Sequence, residues 1–295
     1  MRSGCSGRSE IRSMRDLLAG AAGLVMLAAA GPVLAQSAPS TVTAASDADG
    51  GSDASGPISH LSLSAGGSAW SGDYGAPTST EIRAALLNAR YAMGDLRLTA
   101  SLPYMRIKSN GTVFTGIGAT PLIVAPTIPM GQRKREGWGD LTLGASYRLP
   151  LPPSTGFDFE LTGKVKLATA SAASGVSTGQ TDYSVGGELS KPMGALVPFV
   201  SVTWRQFGDA PGWDLRNGVA TSVGASYVFA NRMTAVLSYD YAQAASRFVS
   251  DAHEIGAAVS IPVYNDRLRL TAFGSRGLSK GAADFSGGLS LSVNL

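Results

Sequence analysis

The chain has 295 residues, 24 basic and 21 acidic, a net charge of +3, one cysteine and two histidines. So small a charge excess excludes a nucleic-acid-binding surface as the reason for the basic balance. A single cysteine, Cys5, excludes a disulfide framework and a thiolate metal centre.

Residues 1–35 read as a secretory signal peptide. Arg2, Arg8, Arg12 and Arg15 form a basic start, Leu17 to Leu34 is apolar, and Val33-Leu34-Ala35 is a small-residue cleavage site. The leader carries those four arginines against Glu10 and Asp16, which leaves 20 basic and 19 acidic residues beyond it. Residues 36–57 are rich in Ser, Ala, Asp and Gly with almost no large apolar side chain. They are expected to be a disordered periplasmic tail.

Residues 58–295 form one domain with no linker inside it. They divide into twelve stretches of period-two alternation, expected as strands at 58–67, 80–92, 95–107, 138–149, 156–169, 181–191, 197–207, 217–229, 233–243, 252–264, 267–276 and 284–295. The last is the clearest. Phe285, Gly287, Leu289, Leu291, Val293 and Leu295 share one face, and small polar residues share the other. Even-numbered strands end in tight turns such as Met93-Gly94-Asp95 and Ala230-Asn231-Arg232. Odd-numbered strands lead into longer connections, notably 68–79, 108–137, 170–180 and 208–216. Alternating short turns and long loops are the pattern of an antiparallel transmembrane β-barrel with periplasmic termini.

The faces follow from the alternation. Toward lipid go Leu96, Leu98, Leu102, Leu141, Leu143, Leu161, Val165, Val223, Leu237, Val259, Ile261 and Val263, among others. Toward the lumen go Arg90, Arg97, Arg148, Lys164, Lys166, Arg205, Arg267 and Arg269, with Asp140, Asp158, Glu160, Asp182, Glu188, Asp240 and Glu254. A soluble sandwich or lipocalin-like barrel would share the period but invert the faces. Here the charges sit with Ser, Thr and Gly, and aromatics band at both strand ends. Tyr91, Tyr147, Phe157, Phe159, Tyr227 and Phe229 lie near the short turns; Tyr104, Tyr183, Trp204, Tyr239, Tyr241 and Phe285 lie near the long loops.

Several blocks carry a resemblance: SGDYGAPTST (71–80), ASLPYMRI (100–107), GWGDLTLGASYRL (137–149), GKVKLATA (163–170), STGQTDYSVG (177–186), PFVSVTWRQFGD (198–209) and GLSKGAADFSGGLSLSVNL (277–295). Over most of 58–295 the chain resembles the outer-membrane "meta-pathway of phenol degradation" transporter-like proteins. That resemblance implies a β-barrel channel for small, often hydrophobic or aromatic compounds.

Two features are candidates for the path itself. The lumen charges either set pore polarity and solute preference or neutralise one another and brace the wall. Loop 108–137 is apolar in its middle, with Phe114, Ile117, Leu122, Ile123 and Ile128, then basic at Arg133-Lys134-Arg135. It either lies over the mouth as cover or a β-extension, or folds inward as a constriction. The basic triplet meets lipopolysaccharide phosphates or is solvated. A hydrolase would need a Ser-His relay, but His253 and Glu254 are adjacent in a strand and point to opposite faces. Gly116-Ile117-Gly118 lacks the continuation of a phosphate loop.

The reading is therefore an outer-membrane channel for passive or facilitated diffusion of small organic solutes, with no cofactor, no metal and no catalytic group. The partners expected are outer-membrane lipid and lipopolysaccharide, the barrel assembly machinery and the solute, with no nucleic acid. The alternatives are a barrel enzyme acting on lipid or surface polymer, and a structural or adhesive barrel.

Overall fold

The computed structural model describes residues 59–125, 133–210, 212–264 and 267–295. The expected signal peptide and the whole of the expected tail lie outside the described residues. The strands are β1 (Ser59–Gly72), β2 (Thr80–Met93), β3 (Leu96–Ser109), β4 (Thr112–Thr115), β5 (Pro121–Ala125), β6 (Arg133–Trp138), β7 (Leu141–Leu149) and β8 (Asp158–Leu167). They continue as β9 (Asp182–Ser190), β10 (Leu196–Gln206), β11 (Gly218–Val228), β12 (Thr234–Ala242), β13 (Ala252–Tyr264), β14 (Leu268–Gly277) and β15 (Phe285–Asn294).

Each wall strand pairs antiparallel with its neighbour, and β1 closes the circle against β15, from Ser62 opposite Asn294 to Ser71 opposite Phe285. β6 and β7 both pair with β3 and share one place in the wall. The result is a closed barrel of twelve positions, while β4 and β5 form a separate hairpin. Closure removes the edges that would otherwise leave backbone groups unpaired. Among the described residues no helix is long and apolar enough to cross a membrane, which says nothing against crossing by strands.

The break between β6 and β7 has a local cause. Pro103 in β3 has no N–H to donate, so its partner strand need not continue there. Instead Gly139 donates its N–H to the Pro103 carbonyl at 2.8 Å, and Asp140 turns its side chain inside. β3 and β6 run on past this point, so the ends of the expected loop 108–137 extend the wall. β1 likewise runs five residues beyond its expected end at 67, because it finds partners on both sides.

The exterior carries Leu63, Leu87, Leu98, Leu143, Leu161, Val200, Val223, Leu237, Ile261 and Leu291, all exposed. Aromatics are exposed at both rims, with Tyr91, Tyr147, Tyr227 and Phe229 at the short turns and Tyr183, Trp204, Tyr239 and Phe285 at the long loops. Trp138 joins the second band, edge-on to Tyr104 at 5.4 Å between centroids. Inside, serines and threonines alternate with bulk. A methyl built on Gly288 would lie 2.6 Å from the Phe273 ring and 2.3 Å from the Gly67 carbonyl. One on Gly224 would meet the Phe199 ring at 2.7 Å. These glycines let an interior ring lie flat on the neighbouring backbone.

Candidate functional site: the lumen and its inward hairpin

The lumen charges fall into groups set by register. Near the short turns, Arg97 Nη1 lies 2.6 Å from Glu160 Oε2, both side chains buried. Near the long loops, Lys166 stands between two carboxylates, 2.9 Å from Asp140 Oδ2 and 3.0 Å from Asp182 Oδ2. The side chains of all three are fully enclosed. This triad also holds loops. Asp140 accepts from the Thr169 and Ala170 N–H groups at 3.1 and 3.0 Å and from Ser177 Oγ at 2.5 Å. Asp182 accepts from Gly208 N at 3.0 Å. A buried ion group is tolerable when its remaining lone pairs are satisfied in this way.

On β10 and β12–β14 the charges are bonded to backbone and hydroxyls. Arg205 donates to the Gln243 carbonyl at 2.7 Å, and Arg269 donates to the Arg232 carbonyl at 3.0 Å. Asp240 and Glu254 face each other across β12 and β13. Each accepts a serine hydroxyl at 2.7 Å, from Ser238 and Ser275. Glu188 is buried opposite Glu160, while Arg90, Arg148, Asp158 and Lys164 are half-buried. Arg267 departs from its expected place in the lumen. It lies exposed in the turn before β14, because that strand starts one residue later and leaves the side chain at the rim.

The middle of loop 108–137 folds inward. The tip of the β4–β5 hairpin, a 3-10 turn at Ile117–Ala119, touches β3, β7, β8 and β9. Gly118 donates to Thr142 Oγ1 on the interior wall at 3.2 Å, and Thr115 donates its N–H to the Val176 carbonyl at 2.6 Å. Gly118 and Ala119 both have φ near +70°, at 69° and 68°, which makes the reversal. One side of the hairpin, through Val113 and Ala119, packs on Trp70, Ile82, Met105 and Ile107 of the wall. The other, through Phe114, Leu122 and Val124, packs on Phe207 and Ala245. Phe114 meets Trp213 edge-on at 6.2 Å. Each fully buried side chain of this size is worth about 1.5–3 kcal/mol relative to exposure. Of the loop residues singled out in the sequence, Phe114, Ile117 and Leu122 are buried and Ile123 is half-buried. Ile128 lies outside the described residues.

Between the hairpin and β10–β13 a crevice of about 70 Å³ remains. Ile117, Leu122 and Phe207 supply apolar surface, and Arg205 and Glu254 supply charge. It is narrower than the ~150 Å³ apolar cavity that accepts benzene. Tyr74 also lines it, with burial pushing its phenol well above the ordinary range.

Sequence reasoning missed the apolar inner wall at this end. Ile82, Ala84, Met105 and Ile107 are buried inside, while Glu81, Arg83, Arg106 and Lys108 are exposed outside. The alternation runs on in phase, but its polarity inverts above the aromatic band. The signal was present in Glu81-Ile82-Arg83 and Arg106-Ile107-Lys108 as apolar residues between charges. The basic triplet splits for the same reason. Lys134 points outside, whereas Arg135 turns in, donating to the Gly175 carbonyl at 2.8 Å with its guanidinium 5.9 Å from the Phe114 ring.

His253 and Glu254 do not form a relay. His253 Nδ1 lies 2.6 Å from the Tyr239 hydroxyl, and Glu254 is buried on the other face with Ser275. Among the described residues no three His, Cys, Asp or Glu side chains are grouped to hold a metal ion.

No protein-family model matches the chain, and no curated protein matches it. Solved structures do. The COG4313 outer membrane channel from Pseudomonas putida F1 aligns with 84% of this chain and 99% of its own length, at 12% identity and a TM-score of 0.60. The KdgM porin covers 80% of this chain and 98% of its own, with 10% identity and a TM-score of 0.46. The P. putida toluene transporter TodX covers 82% and 91%, with 12% identity and a TM-score of 0.42. At such identities the likeness is one of fold. The first shares this barrel almost from end to end, and it is an outer membrane channel by its own description.

Proposed function

We propose that this barrel is an outer-membrane channel for passive or facilitated diffusion of small organic solutes, apolar or aromatic ones favoured. Both termini then face the periplasm and the long loops face outside, as in other bacterial barrels. One observation carries the reading: an apolar hairpin lies inside the mouth of a closed wall and leaves a crevice with apolar surface on one side and charge at its floor. A surface cap has no need to thread its tip against four wall strands. The sequence blocks resembling the phenol meta-pathway transporter-like proteins support the same solute class. The solved COG4313 channel supports a path through this kind of barrel. Twelve strands are too few for a wide aqueous pore, so one hairpin suffices to narrow the path.

The test replaces residues 113–124 with a short Gly-Ser linker and measures single-channel conductance in planar bilayers. Conductance should rise, and preference for an aromatic probe over a sugar of equal size should fall. The barrel should still migrate as a heat-resistant species. Unchanged conductance and unchanged selectivity would remove the gating role. A wild-type protein that neither conducts nor passes the probe would remove the channel itself.

A further inference from the structure

On the outer face of β2, β3 and β6, above the Trp138–Tyr104 pair, the register builds two short rows of charge. Arg83 lies opposite Arg106, which lies opposite Glu136. Glu81 lies opposite Lys108, which lies opposite Lys134. All six side chains are exposed. Two of these pairs are like charges held face to face, Arg83 with Arg106 and Lys108 with Lys134. Such neighbours have Cβ atoms about 4.5–5.5 Å apart and repel, which destabilises the sheet. Two carboxylates among four cations offset this only in part, with Glu81 opposite Lys108. Glu136 accepts from Arg106 Nε at 2.7 Å and lies 3.8 Å from Lys134, so it is already shared. The patch keeps an excess of two positive charges.

Its height is also defined. Arg106 and Lys108 stand two and four residues past Tyr104, about 7 and 14 Å along the strand. Aromatics of the girdle mark the top of the hydrocarbon. The cations therefore sit at the level of headgroup phosphates, on the outside of the wall and not in the mouth. Elsewhere at this end the outward positions include Tyr183, Trp204, Tyr239, Ile255 and Phe285, with the Arg276 guanidinium 5.3 Å from the Phe285 ring.

We propose that Arg83, Arg106, Lys108 and Lys134 form a binding site for the phosphates of lipid A, the anionic glycolipid of the outer leaflet. A phosphate between two opposed cations converts each repulsive pair into a bridged one, accepting charge-assisted hydrogen bonds from the guanidinium groups of Arg83 and Arg106 or the ammonium groups of Lys108 and Lys134. The site rests on the outer-membrane reading above and lies on the opposite side of the wall from the solute path.

The test compares wild-type barrel in detergent with an Arg83→Gln/Lys108→Gln variant, which removes one member of each repulsive pair and leaves the Glu136 bridges intact. Arg276→Gln is the control. Purified lipid A carrying both phosphates should raise the melting temperature of wild type and of the control. Dephosphorylated lipid A, and inorganic phosphate at the same concentration, should not. The double variant should bind lipid A about tenfold more weakly. With no lipid A present, it should melt no lower than wild type. Equal affinity in wild type and variant would overturn the site, as would equal protection by inorganic phosphate. So would a ligand-free variant that melts well below wild type, because the cations would then serve the wall. A conducting barrel indifferent to lipid A would sink this inference and leave the channel standing. A barrel that binds lipid A but never conducts would do the reverse.

Discussion

Replacing Lys166 by Met tests what the buried charges do. Met keeps most of the stem and removes the ammonium. Lys166 Nζ contacts Asp140 Oδ2 at 2.9 Å, Asp182 Oδ2 at 3.0 Å and Thr178 Oγ1 at 3.3 Å. Without it, two enclosed carboxylates face each other with no cation between them. Removing one partner of a buried ion pair costs about 3–5 kcal/mol. For a domain of this size each kcal/mol moves the melting temperature by about 2–4 °C, so a fall of about 6–20 °C is expected. The same carboxylates hold Thr169, Ala170, Ser177 and Gly208. Proteolysis of loops 168–181 and 207–217 should therefore accelerate at temperatures where the wall is still folded. A triple variant with Asp140→Asn and Asp182→Asn should recover much of the loss, since no uncompensated charge is left. The assays are thermal unfolding in detergent and limited proteolysis. A fall under about 2 °C, with no change in loop cleavage, would refute the reasoning and show the triad to be freely hydrated.

Two further outcomes follow from the wall. Leu161→Arg places a cation on the exposed apolar face and should cost about 2–4 kcal/mol in lipid, whereas Thr162→Arg, on the inner face, should cost far less; equal costs in denaturant unfolding from vesicles would count against a membrane-facing exterior. Gly288→Ala puts a methyl 2.3 Å from the Gly67 carbonyl and 2.6 Å from the Phe273 ring. It should lower stability by about 1–3 kcal/mol, and a Phe273→Leu change in the same chain should relieve part of that loss. Additive effects of the two changes would show that the ring does not depend on the glycine.

The faces of the strands were legible because they are local. Leu143, Leu161 and Leu237 lie outside and Asp140, Lys166 and Asp240 inside for the same reason: side chains alternate with period two whatever the strand pairs with. Turn residues and the alternation of short and long connections then set the order and number of wall strands. Partnership was not legible. That Lys166 lies between Asp140 and Asp182 is decided by the register of β7, β8 and β9 against one another, and Arg97 reaches Glu160 only because β3 and β8 flank β7 in the wall.

The sequence by itself determined an antiparallel barrel and the division of its residues between two faces. Only the tertiary structure set the level at which that division changes meaning, although Glu81-Ile82-Arg83 and Arg106-Ile107-Lys108 carried its trace. Below the aromatic band the outside is hydrocarbon, and apolar residues belong there. Above it the outside is water and headgroups, so the same alternation puts Arg83, Arg106 and Lys108 outside and Ile82, Met105 and Ile107 within. Those inner apolar residues are what the hairpin packs against through Val113 and Ala119. Ile107 and Val113 are near in sequence, but Trp70 and Ile82 on one side and Phe207 and Ala245 on the other meet the hairpin only once the wall has closed.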